Sequence, residues 1–142
     1  IRIARRAVAL CHEHGARILL NADPGLVMQL GADGVHLNSD RLRQCRQRPL
    51  SKECWVAASC HNPDDLNHAQ RIDADFAVLS PVQATASHPG AETLGWSRFS
   101  DWVDGCALPV YALGGMTRSD TGIARQHGAQ GIAAIRGLWE SA

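Results

Sequence analysis

Gly31-Ala32-Asp33-Gly34-Val35 returns along the chain as Asp73-Ala74-Asp75-Phe76-Ala77 and again as Gly128-Ala129-Gln130-Gly131-Ile132. Each copy reads as one helix-to-strand turn: a helix ends, a small alanine allows close packing, and a short apolar strand begins. Recurrence of a single turn favours a cyclic array of βα units over a doubly wound sheet. The fold class expected is therefore α/β, as a TIM (β/α)₈ barrel.

Working outward from these turns, strand-like and helix-like segments alternate throughout. Ile3, Ala7, Leu10 and Cys11 share one helical face, with a stop at Gly15. Residues 16–20 form an apolar run too short for a helix and suited to a strand buried on both sides. Asp23 before Pro24 supplies a capping oxygen and a proline at the first helical position, and Gly31 ends that helix. A strand is expected at 34–37, a helix at 40–47, a strand at 55–60 and a helix at 63–71 capped by Asn62. A strand at 76–79, a long loop over 81–94, a helix at 96–103 and a strand at 110–113 follow. A last helix, capped by Thr117 or Ser119, runs to His127 before a strand at 132–135. Most of these six strands are continuous apolar runs, as parallel strands covered by helices are. A barrel needs eight, so residues 1–142 read as a partial barrel domain lacking its first two strands at the N-terminus. The opening Ile1, in place of methionine, carries the same expectation that something precedes it.

The totals narrow the function classes. With 142 residues, 45% of them hydrophobic, and a formal net charge of zero, the chain can build one sizeable core. It has no basic excess with which to neutralise a nucleic-acid backbone. No apolar run approaches the length of a membrane span. Five cysteines without a C-x-x-C pair suit neither a disulfide framework nor a zinc knuckle, so reduced thiols and a cytoplasmic location are expected.

In barrels of this kind the active site forms from loops at the carboxyl ends of the strands. Asn21, His36, Asn38, Asp40, Ser59, His61, Ser80, Gly114, Gly115 and Arg136 all fall at or just beyond such ends. Gly114-Gly115-Met116-Thr117 carries the clearest mechanism. Glycines after a strand let backbone N–H groups approach an anion, and a helix N-terminus adds its own donors; a tight turn without ligand is the other reading. His61 suits a general acid or base, or a ring held by a backbone hydrogen bond. Arg136 ends an apolar strand and is expected on phosphate or on a rim carboxylate. Trp96, Trp102 and Trp139 are expected to pack on helix faces.

Six pieces together resemble the thiamine-phosphate synthase and thiazole tautomerase family. They are L-L-N (19–21), G-A-D-G-V-H-L (31–37), S-C-H-N (59–62), S-P-V-Q-A-T-A-S-H-P (80–89), P-V-Y-A-L-G-G-M (109–116) and G-A-Q-G-I-A-A-I (128–135). The resemblance implies a barrel that binds a phosphorylated thiazole or related heterocycle in thiamine biosynthesis or salvage. Phosphate and substrate contacts would come from Asn21, Ser59, Thr85, Ser87, His88, Gly114, Gly115 and Arg136, with His61 as the acid–base group. The synthase branch uses Mg²⁺ held by carboxylates at the positions of Ala22 and Arg41. Asp23 and Asp40 lie one residue away and are the available metal candidates. The tautomerase branch moves a proton and needs a phosphate anchor and one histidine. The 80–89 loop also resembles that of barrels fused behind a Nudix (8-oxo-dGTP diphosphatase-like) hydrolase. That resemblance implies a non-catalytic ligand-binding barrel with a Nudix domain in cis as the alternative. A homodimer is also compatible with the family.

Overall fold

The computed structural model describes residues 1–85 and 90–139. Among these residues six α-helices and six strands alternate: α1 (Arg2–Glu13), β1 (Leu19–Leu20), α2 (Pro24–Leu30), β2 (Gly34–Leu37), α3 (Ser39–Gln44), β3 (Trp55–Cys60), α4 (Pro63–Arg71), β4 (Phe76–Leu79), α5 (Gly95–Val103), β5 (Val110–Ala112), α6 (Thr121–Gln126) and β6 (Gly131–Ile132). Every neighbouring pair is parallel, and the spatial order β1-β2-β3-β4-β5-β6 is the chain order. A doubly wound sheet reverses its winding at a switch point. This one never does, so it is an arc of a (β/α)₈ barrel.

The recurring turn is the same object three times. Gly31, Asp73 and Gly128 adopt left-handed φ values of 68°, 61° and 89°. The next residue donates its N–H five positions back in each copy: Ala32 to Val27 O, Ala74 to Ala69 O and Ala129 to Ala124 O, at 3.2, 3.0 and 3.0 Å. The residue after that bonds the foot of the preceding strand: Asp33 N–H to Ile18 O, Asp75 N–H to Val56 O and Gln130 N–H to Val110 O. All three alanines are buried. A larger side chain there would hold the helix off the sheet.

The two faces of the sheet differ. Val35, Leu37, Val56, Ala58, Cys60, Ala77, Leu79, Val110 and Ala112 meet Val27, Leu42, Leu66, Phe99 and Ala124 from the helices in one core. Alternate residues form the lumen face. Trp55, Phe76 and Tyr111 lie edge to face across its base, with centroids 6.1 and 5.5 Å apart. His36, Ser59 and Ser80 lie nearer the carboxyl ends on that same face. The lumen is therefore apolar below and polar toward the rim that carries the site.

Several boundaries moved. The buried residue of α1 is Val8, while Ile3 and Leu10 are 83% and 55% exposed, so the expected apolar face is rotated. The first and last strands are two residues each, shorter than their apolar runs. They pair on one side only, and a run of apolar residues does not lengthen a ladder that has one partner. Trp139 is 82% exposed rather than packed on a helix face. The five cysteines are free thiols. Burial, then the charges of Asp65 and Cys106, pushes the Cys60 thiol up to about 12, so it serves as packed apolar volume.

Candidate functional site

A cavity of about 340 Å³ opens at the carboxyl ends of β4, β5 and β6. Ser80, Thr85, Gly114, Gly115, Thr117 and Arg136 supply its polar wall; Pro81, Leu113, Met116, Ala134 and Ile135 supply most of the apolar one. Backbone conformation shapes the loop after β5. Gly114 has φ 105°, and a Cβ on it would stand 2.8 Å from the Pro81 Cα; on Gly115, at φ 66°, it would stand 2.6 Å from the Ala84 O. The loop thus lies flat on the β4–α5 connection, tied by Val82 N–H to Leu113 O at 2.9 Å and Gln83 N–H to Gly114 O at 3.2 Å. The Ser80–Pro81 peptide in that connection is cis.

Among the described residues, no acceptor pairs with the N–H groups of Gly114, Gly115 or Met116. Buried N–H groups are normally paired, so donors left at a cavity wall suit an anion. The expected helix N-terminus contributes differently. A 3₁₀ turn (Arg118–Asp120) intervenes before α6, and Thr117 N–H already donates to Asp120 Oδ2 at 2.7 Å. The Thr117 hydroxyl, and then this N–H, hold the Asp120 carboxyl below its usual range. The donors left open for an anion are therefore those of the glycine loop and Arg136, not the start of α6. Arg136 is exposed at the cavity mouth, and no carboxylate among the described residues pairs with it.

Of the other residues expected at the site, Thr85 lines this cavity, while Ser87 and His88 lie outside the described residues. His61 does not line the cavity but contacts Ser80, which does. Its Nδ1–H donates to the Ser80 carbonyl at 2.9 Å, with Ser80 Oγ at 3.3 Å. A carbonyl only accepts, so in the neutral ring the lone pair sits on Nε2, the form a base requires. Ser59 pairs instead with His36, whose Nε2 lies 2.7 Å from the hydroxyl, lower in the lumen.

Burial pushes the His36 imidazole below its ordinary pKa of 6.5. The fold holds it neutral, while the unfolded chain takes up a proton as pH falls through 6.5, so acid favours unfolding. Thermal unfolding should show the melting temperature dropping as pH falls below 6.5, with a smaller drop in His36→Gln. Parallel curves for the two proteins would place the titration elsewhere.

Asn21, Asp23 and Asp40 gather on the far side of the mouth, after β1 and β2. Asp23 caps α2, its Oδ1 accepting Gly25 N–H at 2.8 Å. Asp40 is 85% exposed and faces Arg43 at 3.8 Å. Asn21 Oδ1 accepts a hydrogen bond from Arg41 Nη1 at 2.9 Å. No group of three His, Cys, Asp or Glu among the described residues is arranged to hold a metal ion.

A family model described as thiamine monophosphate synthase (TMP-TENI) matches residues 1–138. The chain belongs to this family. Among its relatives, a putative thiamine-phosphate synthase 2 of Aquifex aeolicus is 31% identical over 134 residues, covering 94% of this chain and 72% of that one. The thiamine-phosphate synthase of Synechococcus sp. is 32% identical over 140 residues, 97% of this chain but 39% of its own length. A solved thiamine phosphate pyrophosphorylase from Pyrococcus furiosus superposes with a TM-score of 0.73 at 20% identity, covering 94% of this chain and 64% of that one. At that identity the likeness speaks for the fold, which is that of a TIM-type barrel. No helix among the described residues is long and apolar enough to cross a membrane.

In this member of the thiamine monophosphate synthase family the two sides of the mouth differ. The glycine loop side presents N–H donors without a partner among the described residues, together with Arg136. On the β1–β2 side Ala22 brings no side-chain oxygen, Asp23 gives one carboxylate oxygen to a cap, Asp40 faces Arg43 and Arg41 sits on Asn21, and among the described residues no three potential ligands cluster there.

Proposed function

We propose that this barrel binds a phosphorylated thiazole or related heterocycle, within thiamine biosynthesis or salvage. The phosphate rests on the Gly114–Gly115 loop beside Arg136, the heterocycle lies against the apolar wall, and His61 exchanges a proton with it. The single observation that carries this reading is the cavity of about 340 Å³ whose wall combines the glycine loop, Arg136 and apolar side chains. Family membership supports the substrate class. The fixed tautomer of His61 supports proton transfer over diphosphate displacement, because the latter leans on metal charge.

Calorimetric titration with thiazole phosphate and its carboxylate tests the reading. Binding should need no Mg²⁺. Isotope exchange into the bound thiazole carboxylate should fall at least ~100-fold in His61→Ala, the range expected for one acid–base group. Binding without exchange in the parent protein would leave a non-catalytic ligand-binding barrel, the role expected beside a Nudix hydrolase. Absence of binding would remove the thiazole altogether.

A further inference from the structure

We propose that Arg41 is a built-in cation at the β1–β2 rim, so that this side of the mouth binds a phosphate or diphosphate group without a divalent metal. The proposal deepens the reading above and rests on it for the barrel mouth as the ligand site, but it concerns the opposite side of that mouth. Three observations converge on the side chain.

Arg41 is held from both ends. Its backbone N–H donates to Asn38 Oδ1 at 2.9 Å, and its Nη1 donates to Asn21 Oδ1 at 2.9 Å, across from β2 to β1. The guanidinium is therefore drawn over the carboxyl ends of the two strands. Arg41 as a residue is half-buried, while its contact with Asn21 is open to solvent. One of its five N–H donors is used on Asn21, and a planar fork remains for an oxyanion.

Its charge is also unopposed. The adjacent Asp40 faces Arg43, which in turn reaches the buried Asp65 at 3.4 Å. Among the described residues no carboxylate lies within ion-pair distance of Arg41. A cationic rim repels a divalent ion and attracts an anion.

The third observation is position. Arg41 follows β2 and Gly114 follows β5, three strand spacings apart in the sheet order, or about 14 Å along the arc. The mouth thus offers two anion sites, suited to a substrate, or a substrate pair, charged at both ends.

The probe is inorganic pyrophosphate, titrated in EDTA and again in Mg²⁺, with Gly114→Val as background to silence the glycine loop. Binding in EDTA should persist in that background and weaken at least ~10-fold when Arg41→Ala is added, the effect of losing one charge-assisted pair. Arg41→Lys should recover part of it. Arg41→Asp should bind pyrophosphate only with Mg²⁺, because it returns a carboxylate to the rim. Wild-type-like binding in Arg41→Ala, or a requirement for Mg²⁺ in the parent, overturns the proposal. Melting curves on each variant separate unfolding from lost binding. Because the probe contains no thiazole, failure of the thiazole reading leaves this result interpretable.

Discussion

Gly114→Val abolishes phosphate binding at the glycine loop and lowers the melting temperature by roughly 10 °C; both effects come from one clash. The residue sits at φ 105°, outside the region open to β-branched side chains, and its Cβ would lie 2.8 Å from the Pro81 Cα and 3.0 Å from Val82 N. Those neighbours are backbone and cannot swing aside. Relief requires the loop to lift from the β4–α5 connection, which breaks the Val82 N–H to Leu113 O and Gln83 N–H to Gly114 O bonds. The strain and lost bonds amount to about 3 kcal/mol. Lifting the loop also moves the N–H groups that face the anion. Calorimetry with inorganic phosphate and a scanning melt read the two effects. Wild-type phosphate affinity in this variant would show that the loop is not the anchor. Gly115→Ala probes the same loop by a different route: its φ of 66° is reachable by alanine, but the Ala84 O stands 2.6 Å from the new Cβ, so the backbone must shift there too.

Phe99→Ala costs about 3–5 kcal/mol of stability, the range for deleting a fully enclosed aromatic ring. Phe99 has no exposed surface, and Trp96 meets it edge to face at 5.8 Å, with Trp96 itself stacked on His127 at 5.6 Å. Removing the ring opens a void between α5 and the sheet that its neighbours, held in helices and strands, fill only in part. The consequence reaches the site. The connection ahead of α5 is pinned by Leu94 N–H to Pro81 O and Gly95 N–H to Val82 O, both at 2.9 Å. Pro81 is also the residue on which Gly114 packs. Urea unfolding should show a lower midpoint with an unchanged slope. A loss below about 1 kcal/mol would mean the ring does not anchor α5 as described.

The barrel was legible because its decisive signals are local. The Asp23-Pro24 and Asn62-Pro63 pairs open α2 and α4 where the capping rules place them, with both side-chain caps formed. The helix-to-strand turns at Gly31, Asp73 and Gly128 share backbone bonds, and a turn is specified by a handful of adjacent residues. Faces were harder to read. In α1, Ile3 and Leu10 outweigh Val8 in any hydrophobic pattern, yet Val8 is the one buried. Which stripe a helix covers depends on what lies beside it, and that is not written in the helix. The site was half legible. Gly114, Gly115, Thr85 and Arg136 do share a wall, because strand order brings β4, β5 and β6 together. Ser59 goes to His36 instead, because strand register puts those two on one face at hydrogen-bond distance.

By itself the amino-acid sequence determined the alternation of strands and helices, their parallel winding and the family, and it marked the glycine loop as a candidate place for an anion. The alternation and winding follow from short-range rules of periodicity, capping and turn geometry, whereas the family rests on resemblance over six sequence pieces. Tertiary structure decided which of the rim residues meet. It set Arg41 on Asn21 and His61 on the Ser80 carbonyl, contacts between residues 20 and 19 positions apart. Hydrogen bonds are short and directional. Shifts of about 1 Å in packing choose among the partners available, and only the assembled barrel sets those distances.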